Sequence, residues 1–267
     1  MKERPILFSG EMVRAILEGS KTQTRRVIKP QPEVKYVAGY GIGKNMCGDA
    51  WTPIQNNTPT EKDWKRFCSK LIKYCPHGVV GDRLWVRETW RVRGWWPDEP
   101  FNIQYRADMS HQQMQGDIDP DWEERIWEQI TEEMDSAGVP YDEDGVYQFE
   151  GEPPLKWRPS IFMPRAASRI LLEVTDVRVE RLQEISQNDA RNEGVNVWWW
   201  KAADGFAEIG PFDYEFNSKH VPENKRDYKK GFIDLWNSIN AKRGYSWDEN
   251  PWVWVVKFKV LEPADAS

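Results

Sequence analysis

Between Arg169 and Leu182 the apolar side chains change parity: Leu172 and Val174 fall on even positions, Val177 and Val179 on odd ones. Successive side chains of an extended strand point to opposite faces, so an uninterrupted strand would carry these two pairs on opposite sides of the sheet. A parity switch inside a strand is what a β-bulge produces, and bulges let small sheets bend and close into barrels. The chain is thereby directed towards a bent, mixed sheet instead of a flat parallel one.

The other elements are short. Ser9 can cap a helix that places Met12, Val13, Ile16 and Leu17 on one face, with Gly19 as its left-handed stop. Lys21 to Ile28 has the β-branched content of a strand, ended by Pro30, and Gly81-Asp82 introduces a second strand over Arg83 to Glu88. Residues 31–80 are rich in Pro, Gly and Asn and read as a long excursion, with one helix from Glu61 to Tyr74. Ser186, with Asp189 three positions on, opens a short helix over Gln187 to Glu193 that Gly194 stops. Phe232, Leu235, Trp236 and Ile239 have the spacing of a helix packed on the body. Finally Trp252, Trp254, Val256, Phe258 and Val260 alternate against Lys257 and Lys259 as a half-buried strand. Together these predict an α+β fold: one domain over residues 1–267, a mixed β-barrel with short flanking helices, carrying insertions at about 31–78, 97–158 and 197–230.

Charge is unevenly spread. The chain carries −6 overall, yet Asp98 to Glu152 holds 17 acidic residues against Arg106 and Arg125 only, which leaves +9 on the remainder. A basic body with an acidic insertion keeps nucleic acid available as a partner, which the average charge alone would argue against. The acidic stretch reads either as a solvated excursion or as an arm that engages a host protein. It contains one helix, with Trp122, Ile126, Trp127, Ile130 and Met134 on a stripe. Three cysteines form no disulfide framework, and no apolar run reaches the length of a signal peptide or a membrane span, so the expectation is a cytoplasmic protein without a membrane partner.

The run Gly19-Ser20-Lys21-Thr22-Gln23-Thr24-Arg25-Arg26 places an amine, hydroxyls and two guanidinium groups at a helix-to-strand turn. Thr22, Thr24 and Arg26 share one strand face, and Lys21 in the turn can swing towards it. Arg25 and Arg26 disfavour another positive charge beside them, which lowers the Lys21 pKa towards a value useful for a base.

This run, followed by Gly81-Asp82-Arg83-Leu84-Trp85-Val86, then by Ala190 to Glu193 on a short helix, then by Val255-Val256-Lys257-Phe258, resembles the ASCH family of PUA-like barrels. With Pro159-Ser160-Ile161-Phe162-Met163-Pro164 added, the chain is most similar to the uncharacterised ASCH proteins of phages and prophages. The resemblance covers both ends of the chain and leaves the insertions unexplained. It implies chemistry, because small bacterial ASCH members are amidohydrolases that remove acetyl from acetylated cytidine through a Lys, a Thr and a Glu. Position by position these match Lys21, Thr24 and Glu193. The resemblance implies Thr24 as nucleophile, Lys21 as its base, and Glu193 holding the exocyclic nitrogen or relaying a proton. Arg26 would contact phosphate or the developing oxyanion. No cofactor is implied.

Other family members bind or cleave RNA, so three functions stay open: hydrolysis of a modified nucleoside, binding or cleavage of nucleic acid (RNA in preference to DNA), and interaction through the acidic insertion. Thr22, Arg25, Arg26, Arg83, Trp85, Arg87 and Trp198 are the expected contacts to substrate or nucleic acid, Trp198 as a stacking platform. Cys47, Cys68, Cys75 and His77 have the residue types of a zinc site but lack paired C-x-x-C spacing, and idle or buried thiols are the preferred reading.

Overall fold

The computed structural model describes residues 1–37, 40–45, 48–53, 70–95, 100–114, 118–143, 145–195, 199–202, 205–208 and 225–261. In chain order the elements are β1 (Glu3–Leu7), α1 (Gly10–Leu17), β2 (Gln23–Val27), β3 (Glu33–Val37), β4 (Tyr40–Asn45), β5 (Gly48–Pro53), β6 (Arg83–Arg87), β7 (Trp90–Gly94), β8 (Asn102–Tyr105), β9 (His111–Gln113), α2 (Pro120–Ser136), β10 (Leu171–Arg181), α3 (Gln187–Asn192), β11 (Trp199–Ala202), β12 (Gly205–Glu208), α4 (Tyr228–Asn240) and β13 (Trp252–Val260). The fold is mixed α+β. The sequence leads to an expectation of one elaborated domain, and the chain packs as two compact units, one of residues 1–2, 15–83 and 172–260, the other of residues 3–14, 84–171 and 261–267.

In the first unit β13 lies between β10 and β2, antiparallel to both. The parity switch of β10 is a bulge: Val174 stands opposite Phe258, Asp176 opposite Lys257, and Thr175 is the extra residue. Leu172 and Val174 before the bulge, and Val177 and Val179 after it, therefore all lie beside the same β13 face, that of Trp254, Val256, Phe258 and Val260. The opposite face receives Arg178 and Glu180, level with Val255 and Val253, and on β2 Arg25 and Val27. Against this second face pack α3 and α4, with Ala190, Phe232 and Trp236 joining Val253 and Val255 in one apolar cluster. β13 is thus buried on both faces from Trp252 to Val256, where the sequence pattern predicts a half-buried strand. On α4 the face is narrower than its spacing suggests, since Ile239 stays exposed.

The same unit contains a three-stranded antiparallel meander, β3-β4-β5, within the stretch that reads as an excursion. Gly41, Gly43 and Gly48 erase the side-chain alternation that would have announced these strands. β11 and β12 form a hairpin in the third insertion. Of the helix expected from Glu61, only residues 70–74 are described, and Ile72–Tyr74 form a 3₁₀ turn.

Ser9 caps α1 as expected, its carbonyl accepting from the Val13 N–H at 2.9 Å and its Oγ from the Met12 N–H at 3.4 Å. Val13, Ala15 and Ile16 are buried, while Leu17 is exposed and does not belong to the buried face.

In the second unit β1 pairs with β6, and β7-β8-β9 form an antiparallel sheet. Trp90 opposite Tyr105 and Val92 opposite Ile103 make one apolar face. Helix α2 starts at Pro120 under the Asp119 cap and lays Ile126, Ile130 and Met134 on that face. Trp127 is off the stripe, more than a third exposed. The acidic insertion therefore has its own core and is not a solvated excursion. Beside this core Arg169 forks onto Glu88 at 2.8 and 2.9 Å, donates to Asp108 at 2.8 Å, and stacks 4.1 Å over the Tyr105 ring. Burial pushes the Tyr105 hydroxyl strongly up, and its proton goes to the Ala167 carbonyl at 2.9 Å.

Among the described residues no helix is long and apolar enough to cross a membrane.

Because Ile130 is about 1% exposed in this core, Ile130→Ala should lower unfolding free energy in urea by about 2–5 kcal/mol. Glu132→Ala, on the solvent side of the same helix, should change it by less than about 0.5 kcal/mol. Equal effects would mean that the helix is not seated on the sheet.

Candidate functional site

The chain leaves α3 at Glu193 and meets the start of β2. Lys21 and Glu193 form an antiparallel bridge, and the Thr22 N–H donates to the Asn192 carbonyl at 2.9 Å. This contact depends on Gly194, whose φ is +70° and whose absent Cβ would lie 2.7 Å from the Lys21 Cβ and 2.8 Å from the Ala15 Cβ. Any larger residue would push α3 off Lys21.

Across this seam the Lys21 amine donates to the Glu193 carbonyl at 2.7 Å and to its carboxylate Oε2 at 3.1 Å. The other carboxylate oxygen, Oε1, accepts from Arg25 Nη1 at 2.8 Å. Arg25 Nη2 continues to Glu180 and stands 3.6 Å from Asp189. Arg178 closes the network, reaching Glu180 at 3.0 Å, Asp189 at 3.1 Å and Asp176 at 3.5 Å. Gln23 donates to the Asp189 carbonyl at 2.9 Å, and its own Oε1 is buried without a hydrogen-bond partner among the described residues.

The bulge at Thr175 makes this network possible. Without it Asp176, Arg178 and Glu180 would point to the β13 face of Trp254 and Val256, away from Arg25. The Ser186 cap, accepting from the Asp189 N–H at 3.0 Å, orients α3 so that Asp189 and Glu193 face the strand.

Burial is the main force on the Lys21 amine and drives its pKa below the ordinary lysine value. Glu193 pulls it back up, and Arg26 and Arg25 push it further down. Burial also lowers Arg26, against the pull of Glu193. The direction expected for Lys21 is thus present, with desolvation ahead of the two arginines as its cause. Asp189 is raised by burial, but Arg178 and Arg25 outweigh that effect and hold it below the usual carboxylate range.

The structure brings Lys21 and Glu193 into contact. Thr24 is buried on the β2 face opposite Gln23 and Arg25, level with Val256. Arg26 shares the Thr24 face and acts on Lys21 more strongly than Arg25 does. The amine therefore stands at the strand end, in electrostatic reach of both faces. Thr22 is exposed.

Arg25 is committed to three carboxylates, a role its position in the sequence did not announce. Arg178, Glu180 and Asp189 were not singled out as site residues at all. The signal for Arg178 and Glu180 lies in the parity switch, which turns three charged residues of β10 onto one face, and that for Asp189 in the Ser186 cap. Arg83 belongs to the first unit, where its N–H donates to the Lys2 carbonyl at 2.8 Å. Trp85 and Arg87 belong to the second; the guanidinium stacks 4.6 Å over the buried indole, and burial lowers its pKa. Trp198, Cys47 and Cys68 lie outside the described residues. Cys75 is buried, His77 is half-buried, and no group of three metal-binding side chains occurs among the described residues.

A lysine whose folded pKa is lowered binds fewer protons folded than unfolded, so its contribution to stability is largest above pH 10.5 and shrinks as pH falls through the folded value. The stability difference between the unaltered protein and Lys21→Met should therefore grow as pH is raised towards 10.5 in denaturant titrations. A difference independent of pH would show that Lys21 is not desolvated.

No family model matches the chain, and comparison with curated proteins and with solved structures likewise finds no match.

Proposed function

We propose that this chain is a cytoplasmic ASCH-type protein with a PUA-like barrel, and that it hydrolyses the amide of an acylated cytidine or a closely similar modified base. The observation that carries this reading is the Lys21 amine, about 1% exposed and 3.1 Å from the Glu193 carboxylate. Desolvation lowers the Lys21 pKa below the ordinary lysine value, the direction that favours a base, which full exposure to solvent would not do. The order of motifs from Gly19 to Phe258 that resembles the ASCH family, and the bulge that bends β10, support the barrel.

In this reading the deprotonated form of Lys21 takes the proton of the Thr24 hydroxyl as the Thr24 oxygen bonds to the acyl carbon. Collapse of the tetrahedral intermediate breaks the C–N bond, and the Lys21 ammonium returns the proton to the departing exocyclic nitrogen. Water then attacks the acyl-threonine ester, releasing the carboxylic acid and restoring the hydroxyl. Glu193, with one oxygen on Lys21 and the other on Arg25, holds the amine in place and stabilises the ammonium that forms. Arg26, on the Thr24 face, stabilises the oxyanion. A nucleoside suits the site better than a phosphate backbone, because Arg25 is occupied by Glu193, Glu180 and Asp189.

Incubation with N4-acetylcytidine, followed by mass spectrometry, should show conversion to cytidine. Thr24→Val preserves shape and leaves the Lys21–Glu193 pair intact, and should lower turnover by about a thousandfold with an unchanged melting temperature. No conversion by the unaltered protein, or full conversion by Thr24→Val, would contradict the reading.

A further inference from the structure

The second unit contains a cavity of about 370 Å³ in which the Lys21 chemistry has no part. Its wall is mostly apolar, from Trp90, Trp122, Ile126, Pro159 and Phe162, with Arg125, Gln129 and Arg158 as its polar members. Its size suits a small ligand.

The rings of this wall come from two rigid elements. On α2, Trp122 is wedged between Trp90 and Phe101, with ring centroids 6.0 and 6.1 Å apart. Phe162 belongs to the 3₁₀ turn Ser160–Phe162, which Pro159 and Pro164 bracket. The Phe162 N–H donates to the Pro159 carbonyl and the Met163 N–H to the Ser160 carbonyl, both at 3.1 Å, and the buried Met163 anchors the turn. Phe162 itself stays 66% exposed. A turn that holds a large apolar ring in water beside an apolar cavity leaves a surface for a ligand to cover.

Charge at the cavity disfavours ions of either sign. No carboxylate lines it among the described residues, so a cation would meet Arg125 and Arg158 without a counter-charge. An anion fares no better, because Arg158 is committed elsewhere. Its Nε donates to Gln129 Oε1 and its Nη1 to the Lys156 carbonyl, both at 3.2 Å, while Nη2 is sealed from solvent 3.6 Å from Glu133. Arg125 shares α2 with seven carboxylates, and Asp121 and Glu128 lie one turn to either side of it. An uncharged ligand escapes both penalties.

One reachable polar group has a direction. Because Gln129 Oε1 accepts from Arg158, its Nε2 is turned away from that guanidinium, and the residue is exposed. Gln129 thus offers an amide N–H to an acceptor at the wall.

We infer that this cavity binds an uncharged, flat heteroaromatic molecule with a carbonyl attached to its ring, the ring covering Trp122 and Phe162 and the carbonyl accepting from Gln129 Nε2. The site is independent of the Lys21 reading and stands or falls without it.

Calorimetric titration of the full chain with indole-3-carboxamide should give saturable, single-site binding. Indole, which lacks the carbonyl, should bind several-fold more weakly. Indole-3-carboxylate, whose charge finds no partner, should bind at least about tenfold more weakly than the carboxamide. Gln129→Glu keeps the acceptor for Arg158 and removes the donor, so it should bring the carboxamide down to the affinity of indole and leave indole unchanged. Phe162→Ala, at an exposed position, should weaken both about tenfold. Lys21→Met should leave binding as it is. No saturable heat, a carboxylate that binds as tightly as the carboxamide, a Gln129→Glu variant with full affinity for the carboxamide, or a Phe162→Ala variant that binds both unchanged would each overturn the assignment.

Discussion

The Glu193 carboxylate, shared between a lysine and an arginine that have both left solvent, is the interaction on which the first unit turns. Taking an ammonium and a guanidinium out of water is costly unless each finds an opposite charge in good geometry. Glu193 meets that requirement for both, one oxygen to each. Removing the carboxylate would take from Lys21 its carboxylate partner and from Arg25 one of three, whereas the exposed Lys230–Asp234 pair on α4 could be lost with little effect. The backbone serves the same junction, since Lys21 bridges Glu193 directly and Gly194 lets the two main chains approach.

Most of the architecture around that carboxylate follows from one inserted residue. Thr175 shifts the register of β10, so its apolar residues follow the Phe258 face of β13 while Asp176, Arg178 and Glu180 turn to the Arg25 face. The strand thereby fills a core and supplies a charged network with consecutive residues. In the network three cations meet four carboxylates, and Arg26 on the other face supplies the remaining charge. A buried ionic network of this kind adds little net stability and demands one arrangement of its parts, which is what a reacting amine requires.

How much of this could be read in the sequence depended on whether the signal was local. The bulge was legible because parity is a property of neighbouring residues. The Ser186 cap and the Gly194 stop were legible because caps are chemical. Lys21 and Glu193 could be named together only through the resemblance to a family, since nothing local links residues so far apart in the chain. The β3-β4-β5 meander escaped because its glycines carry no side-chain pattern. The core of the second unit escaped because its strands are short and their apolar positions are interleaved with charge: Arg91 and Arg93 flank Val92, and Arg158 and Arg169 find their carboxylates at Glu133, Glu88 and Asp108. Several acidic residues that look from the sequence like a solvated arm are thus partners for arginines of their own unit, and fewer of them remain to face a host protein.

The account rests on the Lys21 amine being desolvated and held by Glu193. Nuclear magnetic resonance of lysine side chains, with Lys21 assigned by its absence in Lys21→Met, measures the ionisation of that amine directly. The account predicts a Lys21 signal that titrates below 10.5, with protons protected from solvent exchange, and a titration that moves further down in Glu193→Gln as the attractive charge is lost. A Lys21 signal that titrates with the other lysines and exchanges as fast as they do would contradict it.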